Sequence, residues 1–178
     1  MNKTPNFSEA FHAIGDGFSY VIRPIRPDDK EGLIELFNQL SSESRYLRFA
    51  HAISKLPDEF LEDVLDLDYE KEMALVACLD QENGRGAIIG TARYVSDSTG
   101  KVCEFSISVS DQYVAHGVGM NLMEHLISYA RQMKLQRMIG YILSNNVKML
   151  HITKELGFEI ESPENEPDFK IATLDLQK

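Results

Sequence analysis

Asp111-Gln112-Tyr113-Val114-Ala115-His116-Gly117-Val118-Gly119-Met120-Asn121-Leu122-Met123-Glu124-His125-Leu126 is the stretch on which the reading of this chain turns. A polar run leads to two glycines one residue apart, and an amphipathic helix predicted to reach about Met133 follows at once. The first turn of a helix has backbone N–H groups without intrahelical partners, and the helix dipole makes that end partly positive. Small anions, phosphate above all, bind there readily. Gly117 and Gly119 would clear side chains from the approach; the plainer alternative is a helix-entry turn. The commoner nucleotide loops do not fit: a dinucleotide fingerprint has a third glycine where Leu122 stands, and no GxxxxGK[ST] run exists.

Outward from this point the pattern is mixed α/β. Immediately upstream, Cys103 to Val109 places apolar residues at odd positions and Glu104, Ser106 and Ser108 at even ones, a strand with one wet face. Before it, Met73–Leu79 and Ala87–Val95 read as strands, with turns at Asn83–Gly86 and Ser98–Gly100, giving an antiparallel meander. Further back, Phe18–Arg26 alternates like a strand. Pro27-Asp28-Asp29 opens a helix carrying Leu33, Leu36, Phe37 and Leu40, and Pro57 opens another with Phe60, Leu61, Val64 and Leu65. Between these two helices SSESRYLRF reads as a polar link. Downstream of the glycines, Arg137–Leu143 is a strand, and Asn146–Leu156 is a helix stopped by Gly157. Phe158–Ile160 and Phe169–Leu176 are two final strands. Residues 1–17 read as a tail or short extra element, and residues 18–178 as a single domain.

Length and composition set outer bounds. The chain has 178 residues, 43% of them hydrophobic, which suits one globular domain with a sizeable core. Its formal net charge of −10 argues against general nucleic-acid binding, which needs a basic face. Cys78 and Cys103 lie in apolar runs without ligand spacing, as buried reduced thiols do. No metal site is expected, and Met120, Met123 and Met133 read as helix packing. No run approaches the ~20 apolar residues of a membrane span. The first residues have no signal-like apolar core, so the expected location is cytoplasmic.

The run from Val102 to Phe158 resembles the core of the GNAT superfamily of N-acetyltransferases. The pattern [Q/R]xxGx[G/A] is matched by Val114-Ala115-His116-Gly117-Val118-Gly119, with Val114 in place of Gln or Arg. Asn146-Val147-Lys148-Met149-Leu150 to Leu156-Gly157-Phe158 resembles the second cofactor segment. RPIRPDD, LSSESRYLRF, YEKEMALVA, IIGTARYV and CEFSISVSDQ resemble the GNAT domain of bacterial protein lysine acetyltransferases that modify acyl-CoA synthetases. The resemblance implies a central, mostly antiparallel twisted sheet of six to seven strands, splayed between the fourth and fifth, with about four flanking helices. It implies acetyl-CoA as donor, its pyrophosphate on amides from about Ala115 to Met120. The pantetheine arm would lie between strands 102–109 and 137–143, hydrogen-bonded near Ile107, Ser108 and Val109 like an added strand. Asn146 would hold the cofactor and cap its helix. His116 stands where Lys or Arg is usual, and neutral imidazole would contribute less charge.

A lysine amine has a reference pKa of ~10.4, so about one in 10³ is free base at pH 7, and deprotonation costs roughly 4–5 kcal/mol. Glu104 is the candidate base for that proton, matching the glutamate of the resembling branch. The alternative is a strand glutamate paired with Arg93 or Lys101. A backbone N–H near Val109 would stabilise the oxyanion. The branch's tyrosine acid falls at Thr153 here; Tyr141 is a substitute, or core. His125 and His151 read as structural, His51 is unassigned, and Arg45 and Arg48 either grip a substrate or form a solvated run. The expected partner is a primary amine, foremost a protein lysine, acting with a monomer or homodimer. A small-molecule amine acceptor and an acyl-CoA sensor without turnover are the alternatives.

Overall fold

The chain alternates a hairpin-rich first half with a crossover second half, as its changing hydrophobic period predicts. The structure is a computed structural model and describes residues 10–15, 18–50, 54–79 and 86–178. Strands β1 (Ala10–Gly15) and β2 (Phe18–Pro24) come first. Helices α1 (Lys30–Gln39), α2 (Ser42–Phe49) and α3 (Asp58–Leu65) follow. The meander is β3 (Glu72–Leu79), β4 (Ile88–Ser96) and β5 (Val102–Val109). Then come α4 (Val118–Gln132), β6 (Arg137–Leu143), α5 (Val147–Glu155), β7 (Glu159–Glu161) and β8 (Phe169–Asp175). They make a sheet in the order β1-β2-β3-β4-β5-β6-β8-β7. All pairings are antiparallel except β5 with β6. The sheet has eight strands because the opening segment supplies β1 as a hairpin partner of β2.

Two apolar clusters cover the two faces. Met73, Leu75 and Ala77 of β3 join Leu122, Met123 and Leu126 of α4 on one side. Ala74, Val76 and Cys78 join Leu33, Leu36 and Phe37 of α1 and Leu61 and Val64 of α3 on the other. The unbroken run MALVAC is therefore buried on both faces, the condition under which a strand loses its alternation. Each fully buried side chain of Leu122's size contributes ~1.5–3 kcal/mol relative to exposure. Where β2 leads into α1, Arg23 and Asp29 form a buried two-pronged ion pair, both contacts 2.8 Å, and Asp29 also accepts from the Arg26 amide. Cys78 and Cys103 are buried free thiols. Among the described residues no helix is long and apolar enough to cross a membrane, and no cluster suits a metal.

The segment SSESRYLRF is not a link but α2, which makes five α-helices among the described residues instead of about four. Ser41 caps it by accepting from the Ser44 amide at 3.0 Å, and Ala50 ends it in the left-handed region at φ 59°. None of its residues is fully buried, and its only apolar residues are Tyr46, Leu47 and Phe49, of which Phe49 packs on the α1/α3 cluster, so its apolar face is too short to stand out in the sequence.

β5 and β6 pair only over Val102–Glu104 against Arg137–Ile139. Beyond that, β5 stays with β4 as far as Val109 opposite Gly90, while β6 stays with β8 as far as Leu143 opposite Phe169. The two strands thus part like a fork. Gly140 lies just past the last pair. A Cβ there would come within 2.3 Å of the Phe105 ring, which packs edge-on to Phe158 at 5.5 Å. Phe105 occupies the space that any larger residue at 140 would need, and so fills the angle of the fork.

Candidate functional site

A cleft of about 380 Å³ opens along this fork. Ile107, Ser108 and Val109 of β5 form one wall; Val114 and Gly119, at the turn into α4, form its end. Asn146, Lys148, Met149 and Ile152 of α5 close the far side, and Ser41, Ser44, Leu47 and Arg48 bring α2 across the opening. A cleft at a break in strand pairing is where an extended ligand arm finds unpaired backbone groups.

Gly117 joins the short 3-10 turn Asp111–His116 to α4 with φ +76°, a conformation that glycine adopts without steric cost. No side chain caps α4. Its first-turn amides, at Val118, Gly119 and Met120, are offered at the helix mouth as in a built anion site. Gly119 is buried, and a Cβ there would lie 3.3 Å from Ile152, 3.6 Å from Val109 and 3.8 Å from Ile107. The absent side chain thus lets the helix mouth, the end of β5 and α5 come close together beside the cleft.

Of the residues singled out from the sequence, Ile107, Ser108, Val109, Val114, Gly119 and Asn146 line the cleft. His116 and Gly117 are exposed beside it, Met120 is half-buried, and Val118 is fully buried in the core. The Ala115 side chain lies outside the described residues, as do His51 and Asn83–Arg85. Asn146 accepts from the Met149 amide at 3.2 Å and caps α5. Thr153 is fully buried, and its hydroxyl donates to the Met149 and Leu150 carbonyls, so it faces its own helix. Tyr141 is 51% exposed on β6 rather than in the core and is not a wall of the cleft. His151 pairs with Glu155 along α5, and His125 meets His12 of β1 at 3.2 Å.

Glu104 is exposed at the start of the fork, on the same strand face as Ser106 and Ser108, and does not itself line the cleft. Arg93, one of its sequence-suggested partners, is engaged by Glu72 at 2.8 Å. Among the described residues no ion pair of Glu104 within 4.0 Å is formed. Glu104 acts electrostatically on Arg48, which donates to Ser106 Oγ at 3.1 Å. Burial, then repulsion from Arg93, pull the Arg48 pKa down to about 10, with Glu104 opposing. It is still a cation at neutral pH.

Sequence reasoning missed the α2 side of the cleft. Asp111 accepts from the Ser41 amide at 2.8 Å and from the Ser44 hydroxyl, tying α2 to the turn that leads into α4. Lys148 of α5 supplies a further cation.

A forked sheet with a cleft beside an uncapped helix mouth is an arrangement with room for an extended ligand. Residues 20–159 match the Acetyltransferase (GNAT) domain, and the chain belongs to that family. It is 32% identical over 146 residues to Acetyltransferase PA5475 of Pseudomonas aeruginosa, covering 82% of this chain and 78% of that one. It is 30% identical over 139 residues to Acetyltransferase Pat of Mycolicibacterium smegmatis, covering 78% of this chain but 40% of the relative's length. The solved GNAT domain of S. lividans PAT superposes with a TM-score of 0.86 at 25% identity, over 97% of this chain and 99% of that one. The protein is an N-acetyltransferase, and as a member of the family it takes its acetyl group from acetyl-CoA.

Proposed function

We propose that the protein acetylates a primary amine, foremost the ε-amine of a protein lysine, with Glu104 as general base. The observation that carries this reading is the coincidence of three features along β5. Ile107–Val109, paired with β4 but not with β6, border the fork; the uncapped α4 mouth lies at one end, and a carboxylate without a described ion-pair partner lies at the other.

In this reading amides from about Ala115 to Met120 hold the diphosphate, and Ile107, Ser108 and Val109 hold the pantetheine arm by their backbone. Asn146 orients the first turn of α5 against it. When bound, acetyl-CoA supplies the electrophilic thioester carbon. The acceptor enters past α2. Glu104 removes its ammonium proton, directly or through one water, offsetting the roughly 4–5 kcal/mol needed to free the amine at pH 7. The N–H near Val109 meets the charge that develops on the carbonyl oxygen. Thr153 is committed to its helix, so no acid is assigned to the departing thiol, whose pKa of ~8.5 already makes it a fair leaving group. The resemblance to lysine-modifying relatives, and an acceptor side built from a whole helix, favour a protein acceptor over a small amine.

The test is thiol release from acetyl-CoA over a panel of amines and an acyl-CoA synthetase, comparing wild type with Glu104→Gln. The expected result is a loss of about 10²–10⁴ in turnover with CoA affinity preserved. Full activity in the variant removes Glu104 from its role. Wild type that binds CoA yet is inert on every acceptor makes the protein a sensor.

A further inference from the structure

Arg48 shares the lining of the cleft with three other charged residues, Glu43, Asp111 and Lys148, and the proposed reaction leaves it unused. α2 carries its guanidinium to the junction of three hollows. One is the main cleft; a second, of about 30 Å³, is lined by Leu33, Phe37 and Phe60; a third, of about 10 Å³, reaches Arg93 and Ser106. The group is held without being neutralised. Its Nη2 donates to Ser106 Oγ at 3.1 Å, and its Cζ lies 4.7 Å from the Phe49 ring centroid and 5.6 Å from that of Phe60. Aromatic contacts leave the in-plane N–H edges of a guanidinium available, and it has five such donors. Among the described residues the Ser106 hydroxyl is the only hydrogen-bond acceptor it reaches, and no carboxylate lies within 4.0 Å.

The surrounding charges sharpen the point. Arg93 stands close enough to repel Arg48 but has its own carboxylate in Glu72 at 2.8 Å. Glu104 offsets only part of the penalty. A half-buried cation with free donors and apolar walls is the setting in which a two-pronged carboxylate contact is strongest.

We infer that Arg48 forms a carboxylate subsite at the reacting end of the cleft, recognising a substrate that carries a carboxylate close to the reacting centre. The chemistry has two sources. One is the far carboxylate of a dicarboxylic acyl thioester such as succinyl-CoA; the other is a carboxylate on the acceptor beside its amine. The inference rests on the reading of this cleft as the acyl-transfer site, and binding measurements test it without turnover.

Calorimetry compares acetyl-CoA with succinyl-CoA, and then the dipeptides Lys-Glu and Lys-Gln titrated into CoA-saturated protein, for wild type, Arg48→Gln and Arg48→Lys. If the donor is the source, Arg48→Gln weakens succinyl-CoA by at least about 10-fold and acetyl-CoA by less than about 2-fold. If the acceptor is the source, the same selective loss falls on Lys-Glu. Arg48→Lys keeps the charge without the fork and gives an intermediate loss, and it serves in place of Arg48→Gln should that variant not fold. Equal affinities across variants for both carboxylate probes overturn the subsite. So does a loss as large for acetyl-CoA and Lys-Gln as for their carboxylate counterparts, which marks a packing role. A wild type that binds a carboxylate probe through Arg48 but transfers nothing to any amine refutes the enzyme reading and leaves the subsite standing.

Discussion

Replacing Gly119 by alanine separates the fold from the ligand site. The new methyl would stand 3.3 Å from Ile152 Cδ1, 3.6 Å from Val109 Cγ2 and 3.8 Å from Ile107 Cδ1. The last two are ordinary contacts, and the first meets the flexible end of a side chain, which yields by a few tenths of an ångström. Alanine also gains ~1 kcal/mol of helix propensity over glycine. Stability should therefore change by less than about 1 kcal/mol, or a few degrees in Tm for a chain of this size. The methyl, however, also stands on the wall of the cleft beside the α4 amides. A charge-assisted hydrogen bond is worth ~1.5–3 kcal/mol, so the loss of one weakens CoA by roughly 10- to 150-fold. Calorimetry with CoA and with acetyl-pantetheine, which lacks the diphosphate, reads the effect. CoA affinity should fall while the weak affinity for acetyl-pantetheine is kept. Unchanged CoA affinity would refute the placement of the diphosphate at this helix mouth. A parallel loss for both ligands would put the methyl against the arm instead.

Three further outcomes follow from the packing. Gly140→Ala pushes against the Phe105 ring at 2.3 Å and should cost ~1–3 kcal/mol in urea unfolding, partly restored by Phe105→Leu; a neutral Gly140→Ala contradicts the account of the fork. Asp29→Ala leaves Arg23, 5% exposed, without its partner and should cost ~3–5 kcal/mol; less than about 1 kcal/mol in the same assay contradicts that pairing. Burial first, then the neighbouring His12, hold the His125 pKa below its ordinary value, with Glu124 opposing. As pH falls below about 6.5 the unfolded chain takes up a proton that the folded chain resists, so this stability is complete above that pH and declines beneath it. His125→Gln should flatten the fall in Tm between about pH 7 and 5, and an unchanged slope would exclude the histidine as its source.

The strands and the glycine helix were legible because their signals are local. β5 alternates Cys103, Phe105 and Ile107 with Glu104, Ser106 and Ser108, and β3 shows the continuous run of a strand covered on both faces. α2 was not legible, since its eight mostly polar residues include none that is fully buried and read as a link. The link from Asp111 to Ser41 spans 70 residues, and the fit of Phe105 over Gly140 joins two strands, so both appear only once the sheet is assembled. Half the site was thus readable: the walls from β5, Val114, Gly119 and Asn146. On the α2 side, Arg48 could be read only as either a substrate grip or part of a solvated run, because the residues around it converge from α2, β4 and β5.

The most direct measurement is a crystal structure of the protein with CoA. The account predicts diphosphate oxygens within about 3 Å of the Val118, Gly119 and Met120 amides, and the sulfur between β5 and β6 beside the Glu104 face of the strand. A diphosphate bound away from α4, or a sulfur on the opposite side of the sheet from Glu104, would contradict it.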